Sequence, residues 1–294
     1  LWGLGSVPPS PDWDEVALGY NAYSIIQTGK DEYGKSFPFV LQSFDDYKPA
    51  LYTYLVIPFI PVFDLSILSV RLPSAIFGIL TVLAVYFLVK ELFGYRGVSQ
   101  NNTQNQTEIL ALLSSFLLAI SPWHIQFSRI AFEANVGLAL NIFGALFFLK
   151  GLKKPWYLFL SVTSLSLSIY AYQSEKVFVP LFALALSISY IKKLLALPKK
   201  YLLVSFLLGI FLVSPMFYYI TTNKKALERA KGVSIFYEPI KLLKPVEVKL
   251  LDDKNTGNIL GQIFDNRRIV FSKEIIANYL LHYNLNWLFL SGDL

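Results

Sequence analysis

The sequence predicts an all-α membrane protein, a bundle of about six spanning helices with long polar segments before and after it. Three observations lead there. Apolar residues fill 54% of the 294 positions and aromatic residues 16%, more than a chain with a water-facing shell requires. Apolar stretches recur between short polar breaks, each approaching the roughly 20 residues that cross a bilayer as a helix. Basic residues gather in alternate short loops, and the pattern repeats down the chain. Cysteine is absent, so disulfides and thiolate metal sites play no part.

Taken in order, Leu1-Trp2-Gly3-Leu4 has neither an initiator Met nor a basic leader and reads as the end of a preceding apolar helix. Residues 5–50 are polar and rich in acids. Within them Glu15–Thr28 forms an amphipathic pattern, with Asp14 or Asp12 as the start cap and Gly29 as the stop. Pro49–Phe63 is apolar but short and interrupted by Pro58 and Pro61, which suits a helix lying in the membrane interface. The first complete span is Val70–Leu92. The Gln/Asn/Thr tract Gln100–Thr107 reads as a solvated loop without structure. Further spans are expected at Glu108–Ser121, Asn135–Leu149, Pro155–Tyr172, Val177–Ile191 and Tyr201–Ile220. A polar segment then runs to Leu294, its part Ser272–Leu290 resembling a membrane-hugging amphipathic helix, and more helices are expected to follow it. The division is therefore 1–69, a first loop with interfacial helices; 70–220, the bundle; and 221–294, a second polar segment.

Orientation follows from the short loops. One set holds Lys90 and Arg96, then Lys150, Lys153 and Lys154, then Lys192, Lys193, Lys199 and Lys200. The opposite set holds only Arg71, Arg129 and Lys176, each with an acid close by in sequence. Lysine-rich loops stay on the cytoplasmic side, so residues 1–69 and 221–294 are expected outside a plasma (inner) membrane. The net charge of +6 thus reports topology and lipid headgroups, not nucleic acid. Asn101 and Asn105 open N-x-Thr sequons, but their loop is expected on the cytoplasmic side.

Polar residues expected on the outer side cluster in four places: Asp12-Trp13-Asp14-Glu15, Asp45-Asp46-Tyr47-Lys48-Pro49, Ser121 through Asn135, and Tyr170 through Lys176. Ionisable groups at that depth are costly in lipid, which points to a shared hydrated cavity.

These same segments carry a resemblance. Asp14-Glu15 in the first loop, Gly-Lys-Asp-Glu-Tyr-Gly at 29–34, Tyr-Lys-Pro-Ala-Leu-Tyr at 47–52, Arg-Leu-Pro-Ser-Ala at 71–75, Ser-Pro-Trp-His at 121–124, Phe-Ser-Arg at 127–129 and Phe-Glu-Ala-Asn at 132–135 form an ordered series. Together they resemble bacterial polytopic GT-C glycosyltransferases, the group that includes protein O-mannosyltransferases and lipid A aminoarabinose transferases. The resemblance implies a GT-C helical bundle and transfer of a sugar, hexosyl or pentosyl, from a polyprenyl-phosphate donor to an extracytoplasmic protein, lipid or glycan. Such a displacement needs one carboxylate base, while a phosphate leaving group needs cations or a metal rather than a general acid.

On that resemblance Asp14 and Glu15 match the catalytic acidic pair, with Asp14 as base; their plain alternative is an N-cap and first-turn acid. Lys48 matches a donor-phosphate lysine, or is a snorkelling interfacial residue. The related enzymes place a Glu before that lysine, whereas here Tyr47 stands there and Asp46 is displaced by one. Arg71, Arg129, Glu133 and Lys176 are further substrate-binding candidates, although Arg71 also suits a topological anchor, and Arg129 and Glu133 have the spacing of a helix pair. His124 reads as structural. No cofactor is certain; a divalent metal, if used, would fall to Asp46 and His282. The rival readings are a flippase of lipid-linked sugars and a non-catalytic scaffold. A transporter predicts charges at mid-span and related halves, and the spans show neither.

Overall fold

Asp12 sets the first helix. Its side chain accepts from the Trp13 N–H (2.8 Å), and Glu15 reaches back to the Asp12 N–H (3.1 Å), a reciprocal cap that starts α1, Trp13–Thr28. Gly29 ends the helix at φ +71°, where its N–H bonds the Ile25 carbonyl. The computed structural model describes residues 1–43, 46–94, 101–223 and 239–286, with only the backbone at 46, 101–104 and 239–242. The chain divides into two units, 1–223 and 224–294.

After α1 the chain turns around Asp31, whose carboxylate accepts from the Tyr33 and Lys35 N–H groups. It then forms a feature that an all-α reading misses. Strands β1, Val40–Ser43, and β2, Asp46–Pro49, pair antiparallel with Leu41 opposite Lys48 and Gln42 opposite Tyr47. Four residues per strand give hydropathy little period to reveal, which is why the hairpin escapes the sequence. The Pro-broken segment becomes three short helical pieces: α2, Leu51–Val56; a 3-10 turn, Ile57–Phe59; and α3, Ile60–Phe63. It does more than lie at an interface. Tyr52, Val56 and Ile60 are buried with Leu18 and Ala22 of α1 and with Val70, Val136 and Leu140.

The bundle begins with α4, Ile67–Phe93, capped by Ser66, followed by α5, Asn101–Ile120, and α6, Pro122–Arg129. Next come α7, Glu133–Gly151; α8, Tyr157–Ile169; α9, Glu175–Ser189; α10, Ile191–Leu195; and α11, Lys199–Thr222. Each expected span therefore has a helix, with two corrections. Residues 101–107 are helical rather than a loop, because the polar tract continues the turns of α5 outward. Among the described residues, α4, α7 and α11 are each long and apolar enough to cross a membrane, and α5 with α6, a pair bent by 58°, makes a fourth only if the two are taken as one span. The 13-residue α8 and 15-residue α9 fall short of the rise a bilayer requires.

Helix α7 is central, packing on both α4 and α8. Small residues permit this closeness: a Cβ on Gly144 would lie 2.5 Å from Leu165 Cδ2. The lysine-rich ends meet at one end of the unit. Lys153 pairs with Glu91, Lys90 with Glu108 (2.5 Å), and Tyr190, Leu194 and Leu202 pack against Phe148, Leu149 and Leu158.

The second unit holds α12, Pro239–Asn255; α13, Ile259–Phe264; and α14, Arg267–Leu281. Asn258 and Asn266 cap the latter two through backbone N–H groups. In α14, Phe271 is buried while Ile275, Ile276, Tyr279 and Leu280 share an exposed stripe, the amphipathic pattern expected there. The expected continuation over Trp287–Leu290 lies outside the described residues.

Candidate functional site

The acidic pair on α1 divides into two different environments. Glu15 is 4% exposed and Arg71, on α4, is fully buried. Arg71 Nε and Nη2 each donate to the Glu15 carboxylate at 2.8 Å. Its other N–H groups go to the carbonyls of Leu4 (3.1 Å), Pro8 (2.8 Å) and Ser10 (3.2 Å). All five guanidinium donors are thereby used. Glu15 also accepts from the Ala131 N–H (2.8 Å) and the Asp12 N–H. Burial pushes the Glu15 carboxyl upward, but the bonds from Arg71, Ala131 and Asp12 outweigh it and hold the group below the ordinary carboxylate value. Arg71 is therefore neither a surface anchor nor open to a substrate. It stitches residues 4–10 to α1 and α4, and Glu15 stitches them to the turn before α7.

Asp14, one residue away, faces out of α1 and remains 52% exposed. It pairs with Lys48 of β2, which is 16% exposed. The neighbouring Tyr47 carbonyl accepts the Gln173 side-chain amide, and the Gln173 oxygen accepts from Lys176 Nζ (2.5 Å). The same turn is fixed to α2 by the Leu51 N–H bonding the Tyr170 carbonyl (3.1 Å), and to the hairpin by Phe39 against the Tyr170 ring. Lys35 stands over the Tyr47 ring at 5.8 Å. Three ammonium groups thus surround β2, one of which, Lys35, the sequence does not single out, because nothing in its turn distinguishes it from a solvated lysine.

The remaining candidates separate. Arg129 donates to the carbonyls of Trp2 (2.8 Å) and Val7 (3.2 Å), tying down the first residues of the chain. Glu133 is buried and starts α7, whereas Arg129 ends α6, so extended Ile130 and Phe132 between them rule out one continuous helix for the two. His124 Nε2 meets the Gly78 carbonyl at 3.0 Å, in keeping with its structural reading. His282 belongs to the second unit, where Nδ1 lies 2.8 Å from the Asn278 carbonyl. Among the described residues no three His, Asp or Glu side chains gather as metal ligands. The Asp46 side chain and Asp45 lie outside the described residues. A cavity of about 720 Å³, mostly apolar, lies between α4, α5 and α6 against Gly78, Val82, Leu112, His124 and Ser128. Neither Asp14, Lys48 nor Lys176 lines it.

Residues 47–219, from β2 through α11, match the dolichyl-phosphate-mannose-protein mannosyltransferase family, over more than half of the chain. The chain belongs to that family. No curated protein and no solved structure matches it significantly. As a family member it is a membrane glycosyltransferase, and a lipid-linked sugar is the donor that membership implies. The matched region holds Lys48, Arg71 and Lys176; Asp14 and Glu15 precede it and are joined to it by the contacts of Lys48, Arg71 and Ala131.

Proposed function

We propose that this mannosyltransferase-family protein transfers a sugar from a polyprenyl-phosphate donor to an extracytoplasmic acceptor, with inversion, and that Asp14 is the base. The observation that carries the reading is the Asp14–Lys48 pair beside the Tyr47–Gln173–Lys176 link. A half-exposed carboxylate stands next to Lys48 of the β1–β2 pair, in the loop expected at the membrane's outer face.

The acceptor hydroxyl loses its proton to the Asp14 carboxylate as its oxygen attacks the anomeric carbon. The carbon–oxygen bond to phosphate breaks, and the phosphate leaves with the electron pair. Lys48 and Lys176 stabilise the charge that grows on it. In the resting pair Lys48 occupies Asp14. A donor phosphate that draws Lys48 toward itself releases the carboxylate to take a proton, which favours donor binding before acceptor attack. Glu15 is too fully hydrogen-bonded to share in proton transfer, so the base role rests on Asp14 alone. The outward placement is supported by the lysine ends collecting at one end of the unit.

The test measures transfer from radiolabelled polyprenyl-phosphate sugars by the purified membrane protein. Asp14→Asn is expected to lower kcat by about 10²–10⁴-fold. Undiminished transfer by the variant overturns the base assignment, and absence of transfer by the wild type favours a transporter or scaffold.

A further inference from the structure

Glu175 is a buried titratable group with no part in the mechanism above. It opens α9, is 7% exposed, and turns inward instead of toward water as a first-turn acid ordinarily does. One carboxylate oxygen accepts from Asn141 Nδ2 (2.7 Å), two turns into α7. The other occupies space left by Gly137, where an added Cβ would lie 3.0 Å from it. Asn141 is 6% exposed, and its side-chain oxygen has no hydrogen-bond partner among the described residues.

Helix α7 therefore receives two glutamates. Glu15 bonds the Ala131 N–H just before its start, and Glu175 bonds Asn141 within it. In both cases the sequence neighbour is a proposed site residue, Asp14 before Glu15 and Lys176 after Glu175. We infer that Glu175 is the positioning residue for Lys176, fixing the start of α9 on α7 so that Lys176 and Gln173 meet the strand bearing Lys48. The inference rests on the proposed donor-binding role of Lys176. Without the Asn141 bond the first turn of α9 loses this hydrogen bond to α7, and the lysine is presented to the donor phosphate from a wider range of positions.

The test uses the membrane protein in lipid nanodiscs and two readouts. In donor-saturation kinetics, Glu175→Ala is expected to raise the donor KM about tenfold and leave kcat within about threefold. Glu175→Ala/Lys176→Met is expected to be no worse than Lys176→Met alone. Glu175→Gln is expected to stay within about threefold of wild type, because its amide accepts from Asn141 Nδ2 and can donate to the unpartnered Asn141 oxygen. Independently of activity, nitroxide labels on cysteines at the exposed positions Val16 and Val177 report the distance between α1 and α9 in a chain otherwise free of cysteine. Glu175→Ala is expected to broaden that distribution and Glu175→Gln to preserve it. An unchanged distribution in Glu175→Ala, or losses that add in the double variant, overturns the inference. A wild type without transfer overturns the proposed function instead, and the distance measurement then still decides the placement.

Discussion

Replacing Arg71 with methionine keeps a long apolar stem and deletes five N–H donors at one buried point. Both charges of the pair are out of water, Arg71 completely and Glu15 to 4% exposure, so solvent does not screen their interaction. Removing one partner leaves the Glu15 carboxylate buried against only the Ala131 and Asp12 N–H groups. Breaking such a pair costs about 3–5 kcal/mol. At about 1.4 kcal/mol per decade, the held state of residues 4–15 is expected to weaken by roughly a hundred- to several-thousand-fold. Hydrogen exchange followed by mass spectrometry reads this directly, since the opening equilibrium sets the exchange rate of peptides covering residues 4–15 and the Ala131 amide. A second variant separates charge from shape. Glu15→Met/Arg71→Met removes both charges, and recovery of at least tenfold in protection is expected, because an apolar pair leaves no uncompensated charge. Loss of less than tenfold in Arg71→Met, or a double variant no better than the single, refutes the account of how the first segment is held.

Lys48→Met is expected to raise the donor KM more than it lowers kcat, and to change stability by less than about 1 kcal/mol, since its Asp14 partner is half exposed; steady-state kinetics and a thermal melt check both. The Glu15 carboxyl lies below its ordinary value of 4.5 when folded. Its stabilisation is accordingly full above that value and lost as pH falls through the lower, folded one. Protection of residues 4–15 is expected to be level from pH 7 to about 5 and to drop below about 4, and Glu15→Gln is expected to flatten that drop. Gly78→Ala places a Cβ 2.2 Å from Ser128 Oγ and 2.7 Å from its Cβ. The resulting separation of α4 from α6 is expected to cost about 1–3 kcal/mol in a denaturation assay.

How much of the site was legible depends on what each residue's chemistry shows without a partner. Asp14 and Lys48 are candidates through the resemblance, and the structure pairs them, Asp14 from the first turn of α1 and Lys48 from β2. Arg71 carried the same signal and resolves differently, because only packing reveals that residues 4–10 fold back over it with three carbonyls. Glu175 gave the opposite result. A first-turn glutamate beside a lysine looks like a solvated cap, and nothing local indicates that Gly137 and Asn141, more than thirty residues earlier, have made room for it.

The sequence by itself determined the long apolar helices of the first unit and their order, because a span is a local property: an apolar run ended by charge has no alternative but to bury its backbone polar groups in a helix. It also determined the cap of α1 and the Gly29 stop, which need only neighbours along the chain. Only the tertiary structure decided which of two adjacent acids is held inside and which stays half exposed. A carboxylate's role is set by the donors that reach it, and those of Glu15 come from residues 3, 56 and 116 positions away. The same applies to the short strands and to the length of α8 and α9, where packing against α7 and the first loop, rather than hydropathy, sets the outcome.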